Sequence, residues 1–115
     1  MKAINKTTQT VLADDLAMAD TPLKRLVGLL GKRHLPAGKG LLITPCKGVH
    51  TLGMRFAIDV LFLGKKMTVV ALNKNMLPNR MSRVHMQAQC VLELPAGTVD
   101  LTNTKLGDPI AIEPD

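Results

Sequence analysis

Short apolar runs alternate with polar breaks along this chain, and one segment carries helical spacing. Leu23, Leu26, Val27 and Leu30 recur at i, i+3, i+4 and i+7, which places them on one face of a helix. Thr21 is a good N-cap, and Pro22 fits the first helical position. Gly31, with Lys32 and Arg33 beside it, supplies a stop near the negative end of the helix dipole. The pattern predicts a helix over Pro22 to Leu30. Gly28 inside it costs about 1 kcal/mol relative to Ala, so a close approach of the helix to a sheet is expected there.

The remaining apolar runs are strand-like. Leu41 to Thr44 ends at Pro45, and Val49 to Met54 follows it. Ile58 to Leu63 and Met67 to Leu72 form a hairpin pattern around Gly64-Lys65-Lys66. Gln89 to Leu94 closes on Pro95-Ala96-Gly97, and Gly107-Asp108-Pro109 leads into Ile110 to Glu113. A weaker strand lies near Thr10 to Ala13. The expected fold is α+β, mainly β: a small curled antiparallel sheet or open β-barrel with one short helix in the N-terminal half. With 115 residues, 46% of them apolar, the chain suits a single domain over residues 1–115. Asn73 to Ala88 remains as a polar connection, long enough to imply a function or hidden order.

Composition changes this picture in two places. There is no Trp or Tyr, only two Phe and seven Met, so the core volume comes from aliphatic and Met side chains. The net charge is +6, and it is unevenly spread. From Thr21 to Leu92 the basic residues include Lys24, Arg25, Lys32, Arg33, Lys47, Arg55, Arg80 and Arg83, against Asp59 as the one acid. Such a block is either a solvated face balanced by the acidic ends or an anion-attracting surface. The lack of aromatic stacking platforms argues against a nucleic-acid partner. No run approaches the roughly 20 apolar residues of a membrane span. Asp14, Asp15 and Asp20 interrupt any secretory apolar region, so a cytoplasmic location is expected, with Cys46 and Cys90 as thiols.

Several polar residues do not fit a plain core. Asp59 interrupts the apolar run Ile58 to Leu63, and a buried carboxylate needs a partner. Arg25, His50 and Arg55 are the candidate basic partners. In a strand over Val49 to Met54, His50 and Thr51 would face opposite ways. Cys46 lies beside Lys47 and the basic block, where a lowered thiol pKa is conceivable. The candidate polar cluster is therefore Arg25, Cys46, His50, Thr51, Arg55 and Asp59. Each member also has a bland reading as an ion pair, a cap or a structural histidine. Cys46-x3-His50 and His85-x4-Cys90 offer zinc-ligand types without the paired C-x2-C spacing, so no metal is assigned. P-loop, dinucleotide-binding, H-E-x-x-H and G-x-S-x-G motifs are absent, and no cofactor is expected.

Several motifs in order resemble the domain-of-unknown-function 192 family. They are Arg25-Leu26-Val27-Gly28-Leu29-Leu30-Gly31-Lys32-Arg33, then Gly40-Leu41-Leu42-Ile43, then Cys46-x3-His50-Thr51-x2-Met54-Arg55-x2-Ile58-Asp59-Val60-Leu61-Phe62. Val91-Leu92-Glu93-Leu94-Pro95-Ala96-Gly97 and Gly107-Asp108 complete the match, from about Val11 to Ile112. The segment before Met54 is Val49-His50-Thr51-Leu52-Gly53, where some members carry a Trp. The resemblance implies a small bacterial or archaeal protein with a mostly β fold, a short helix and no assigned activity. The family's polar positions fall on Arg25, His50, Thr51, Met54, Asp59 and Glu93.

Three functional readings follow. The leading one is a binding domain whose positive pocket, around Arg25, His50, Arg55 and Asp59, takes an anionic small molecule or a protein partner. The second is an enzyme with His50/Asp59 acid–base chemistry and Cys46 as a nucleophile. The third is a structural or assembly accessory acting through the Asn73 to Ala88 loop. The sequence carries no sign of the oligomeric state.

Overall fold

A computed structural model describes residues 1–115. Its elements run β1 (Lys2–Asn5), β2 (Thr10–Ala13), β3 (Asp15–Ala19), α1 (Pro22–Val27), β4 (Lys39–Ile43), β5 (Ile58–Leu63), β6 (Val69–Met76), β7 (Cys90–Pro95), α2 (Thr98–Leu101) and β8 (Ile110–Glu113). The strands form a three-stranded sheet, β2-β1-β8, and a five-stranded sheet, β3-β4-β7-β5-β6. This is the α+β, mainly β architecture expected, with sheets that stay open. One pairing departs from an all-antiparallel arrangement: β3 runs parallel to β4.

The five-stranded sheet is covered on both faces, which explains why β5 is apolar at every residue but Asp59 and is buried throughout. One face packs Leu42, Leu61, Leu63, Leu92 and Leu94 against Ala3, Leu12, Leu16 and Ile110, closing a core between the two sheets. The other face presents Leu41, Ile43, Ile58, Val60, Phe62 and Val91, covered by Leu29, Met54 and Ala88 from the connections. Gly40 permits the close passage of β4 over this core. A Cβ there would stand 3.1 Å from each of Ala13 Cβ, Leu16 Cδ1 and Leu94 Cδ2. At one corner, buried Asn5 donates to Thr104 Oγ1 (3.1 Å) and Asp108 Oδ2 (2.9 Å), fastening β1 to the turn before β8.

Four local expectations need correction. The helix is capped at Thr21, whose hydroxyl accepts from Lys24 N–H at 3.2 Å, but it ends at Val27. Gly28 has φ 51° and terminates the helix; no sheet residue approaches it. None of the residues of α1 is buried, and Leu23, Leu26 and Val27 are exposed. Val49 to Met54 is not a strand: it makes one isolated bridge, His50 to Met81, and then turns. The second arm of the hairpin is β6, shifted to Val69–Met76 after a 3-10 turn at Lys65–Met67. It takes in Asn73 to Met76, so the long connection begins at Leu77. β1 and β3 have no counterpart in the apolar pattern, because Lys2–Asn5 and Asp15–Ala19 are rich in Ala, Lys, Asp and Asn. Pairing with β8 and β4 holds them in place.

Candidate functional site

A cavity of about 640 Å³ lies between α1 and the covered face of the five-stranded sheet. Leu26, Val27 and Leu29 form one wall, Val49 and Met54 the other, and Ile43 and Glu93 the floor. The volume is in the range of small-molecule sites. Its polar side chains are Arg25, Cys46, Lys47, His50 and Glu93.

Glu93 is the residue around which the site is built. It sits in β7, directly across from Leu41 of β4 and Val60 of β5, so both cross-strand neighbours are apolar. The side chain is buried, and its carboxyl has no hydrogen-bond or ion-pair partner within the chain. Burial therefore pushes its pKa up to about 7. At neutral pH this acid is divided between its protonated and charged forms.

Arg25 is the second unusual group. Its Nη1 donates to Pro45 O at 2.9 Å, which ties α1 to the end of β4. Its Nε is buried and has no partner. No Arg25 nitrogen lies within 4.0 Å of a Glu93 oxygen, so the two opposite charges share a cavity without pairing. Buried polar groups in native folds are nearly always bonded, so the orphan Nε of Arg25 calls for an explanation; the Glu93 carboxyl, also without a partner in the chain, lines the same cavity.

The remaining candidates divide. Cys46 lines the cavity, and its thiol donates to Gly48 O at 3.0 Å. Burial pushes the thiol pKa up and Glu93 adds to the rise, while the Gly48 backbone and Arg25 oppose it; the net rise is the opposite of the lowered pKa that activates a thiol. Lys47 does not sensitise it, because Nζ turns away to the carbonyls of Met86 and Ala88, both at 2.8 Å. His50 stands on the exposed rim, with Nδ1 accepting from Leu52 N–H at 3.2 Å, which leaves Nε2 to carry the proton of the neutral ring.

Thr51 is buried and structural. Its hydroxyl donates to Leu77 O at 2.6 Å and accepts from Arg80 N–H at 3.0 Å, pinning the cavity wall to the Leu77 to Ala88 connection. Arg55 is exposed and lies outside the cavity lining.

Asp59 faces the core between the sheets. It has no basic partner: Oδ1 accepts from Asn75 N–H at 2.8 Å, and Oδ2 from Gly97 and Val99 N–H at 3.1 and 2.8 Å. It secures the turn at α2 and the end of β6. The pairing of His50 with Asp59 is therefore not formed, and Cys46, His50 and Asp59 do not assemble into a triad. No group of three or more His, Cys, Asp and Glu residues is placed to hold a metal ion.

The match to a family model is decisive for kinship. The model for DUF192, described as Uncharacterized ACR, aligns with residues 3–112. The chain belongs to the DUF192 family. A UPF0127 protein of Thermococcus sibiricus is 32% identical over 112 residues, spanning 93% of this chain and 71% of the relative. The DUF192 fold is also similar to a solved protein of unknown function from Novosphingobium aromaticivorans. That match has a TM-score of 0.84 at 18% identity, over 97% of this chain and 84% of the other. A putative transcription regulator from Sinorhizobium meliloti superposes with a TM-score of 0.78 at 24% identity, covering 96% of this chain and 89% of its own. At these identities the two structures establish a shared fold and nothing finer. DUF192 is a family of unknown function, and no helix of this member is long and apolar enough to cross a membrane.

Glu93 was absent from the candidate cluster drawn from the sequence, although it falls on a family motif position. The signal that singled out Asp59 also applies to it: an acid inside the apolar strand Val91-Leu92-Glu93-Leu94.

Proposed function

We propose that this DUF192 domain is a binding module for a small amphipathic molecule that enters the cavity between α1 and the sheet. The observation that carries this reading is the unpaired, buried Glu93 in the same mainly apolar cavity as Arg25, whose Nε has no partner. A ligand with an apolar body and one polar end would cover the wall of Leu26, Val27 and Met54 and satisfy both orphan groups. The fixed charge of Arg25 beside a Glu93 that is partly protonated at neutral pH favours an anionic end. Arg55 and Asp59 take no part.

A thermal-shift screen of carboxylated and phosphorylated amphipathic metabolites tests this. A true ligand at 100 times its Kd stabilises the fold by about 2.7 kcal/mol. Loss of that shift in R25Q would place it at this cavity. A screen in which no compound raises the Tm of the wild type would defeat the reading.

A protein partner is the second reading, favoured by Met81, Val84 and Met86, all exposed on the loop pinned by Thr51. Capture of a partner that is lost in a triple Ser variant at these positions would support it. We assign the domain to the cytoplasm, a reading supported by its two unpaired cysteines.

A further inference from the structure

The two orphan groups constrain the ligand further than its being amphipathic. Arg25 Nε is a donor in want of an acceptor. The Glu93 carboxyl, when protonated, is a second donor, and it stands among Leu41, Val60 and Ile43, which offer it nothing. The other charged or titratable groups facing the cavity are Cys46, Lys47 and His50. The Cys46 thiol is committed to Gly48 O and the Lys47 ammonium to two backbone carbonyls, while His50 stays on the rim. The cavity therefore holds two polar groups with no protein partner, the Glu93 carboxyl and Arg25 Nε, and the Arg25 guanidinium brings a fixed positive charge.

Resting on the cavity-binding reading, we propose that the ligand is a monocarboxylate with an alkyl or similarly apolar tail. The carboxylate is neutralised by the Arg25 guanidinium and accepts from protonated Glu93, which takes its proton from solvent as the ligand binds. The charge balance supports this class. Arg25 and the ligand carboxylate cancel, and Glu93 is neutral, so no net charge is left in the apolar site. A cationic head would meet Arg25 at close range and leave its Nε without an acceptor. An alcohol head can accept from these donors but leaves the guanidinium charge unneutralised. Burial of Glu93 places its titration near neutrality, so proton uptake falls within the range of ordinary experiments.

Decanoate, decanol and decylamine, each below its aggregation concentration, serve as probes in isothermal titration of the intact protein. Repeating the decanoate titration at pH 8 in buffers of different ionisation enthalpy reads the proton count. The expected result is decanoate as the tightest of the three, with uptake of about one proton, and an affinity that falls about tenfold per pH unit above pH 7. E93Q, whose amide donates at every pH, should bind decanoate with a flat pH profile. Wild-type proton uptake needs no variant, so the inference stays testable if E93Q fails to fold. Decanoate binding without proton uptake overturns the role of Glu93. Tighter binding of decanol or decylamine overturns the ligand class and leaves the cavity reading standing. Binding of none of the three removes the cavity reading and this inference together.

Discussion

Glu93 and Asp59 stand one register step apart on paired strands and point to opposite faces of the same sheet. Asp59, opposite Leu94, collects three backbone N–H groups in the core between the sheets. Glu93, opposite Val60, collects none and borders the cavity. The same residue chemistry, in the same kind of strand, thus serves as a structural fastener on one face and as an unsatisfied group on the other.

Stability should fall as pH rises through the titration of Glu93. Its pKa lies above the unfolded value of 4.5, so between pH 4.5 and about 7 the folded state binds more protons than the unfolded one. The stabilising protonated form is fully present below pH 4.5 and is lost by about pH 7. The shift corresponds to a loss on the order of 3 kcal/mol. Urea denaturation across this range checks the slope. E93Q should flatten it and be more stable than wild type at pH 8; a wild-type profile with no such decline would refute the assignment.

Asp59 should behave as a structural residue. D59A leaves three N–H groups without their acceptor, at least one of them buried, and should cost about 3 to 5 kcal/mol. D59N keeps one acceptor oxygen and should cost less. Midpoints of chemical denaturation measure both. In the folded D59N protein, affinity for any cavity ligand should equal that of wild type, an equality that an acid–base role at the site would break.

Thr51 holds the cavity wall to the loop beyond β6. T51V preserves the shape but removes a hydroxyl that both donates to Leu77 O and accepts from Arg80 N–H. A loss of about 1 to 3 kcal/mol is expected. Hydrogen exchange should quicken at the Asn79, Arg80 and Ser82 amides, whose acceptors are Thr51 and Val49, ahead of any change in the sheet. Unchanged exchange at those amides would count against the pinning role.

Cys46 should alkylate slowly. Its thiol is half-buried, donates to Gly48 O and titrates above its ordinary value of 9.0. The rate with iodoacetamide at pH 7.5 should fall below that of an unfolded control peptide, and the pH–rate curve should inflect above 9. A rate faster than the control would restore Cys46 as a nucleophile.

Much of the fold was legible because it rests on local apolar runs. β2, β4, β5, β7 and β8 are found where those runs predict them, within a residue or two. β1 and β3 were hidden, since their residues have weak strand preference and hold their shape only through partners distant in sequence. Val49 to Met54 misled because a segment that bridges a long loop can be as apolar as a strand. Of the residues singled out from the sequence, Arg25, Cys46 and His50 line the cavity, and Thr51, Arg55 and Asp59 do not. Which buried acid faces it depends on strand parity, and parity depends on register, which no single strand reveals. Asp59 drew the eye because it was alone in a basic block, whereas Glu93 falls just past that block's end.

Helix α1 contributes no buried residue of its own, and only Leu29, in the turn beyond it, is sunk into the core. Swinging this wall outward would expose roughly one leucine, about 1.5 to 3 kcal/mol, and break the Arg25 to Pro45 hydrogen bond. Global unfolding would instead have to dismantle both cores. The entrance to the cavity is thus held by far less buried surface than the body of the domain, so a local opening would admit a ligand while the sheets keep their register.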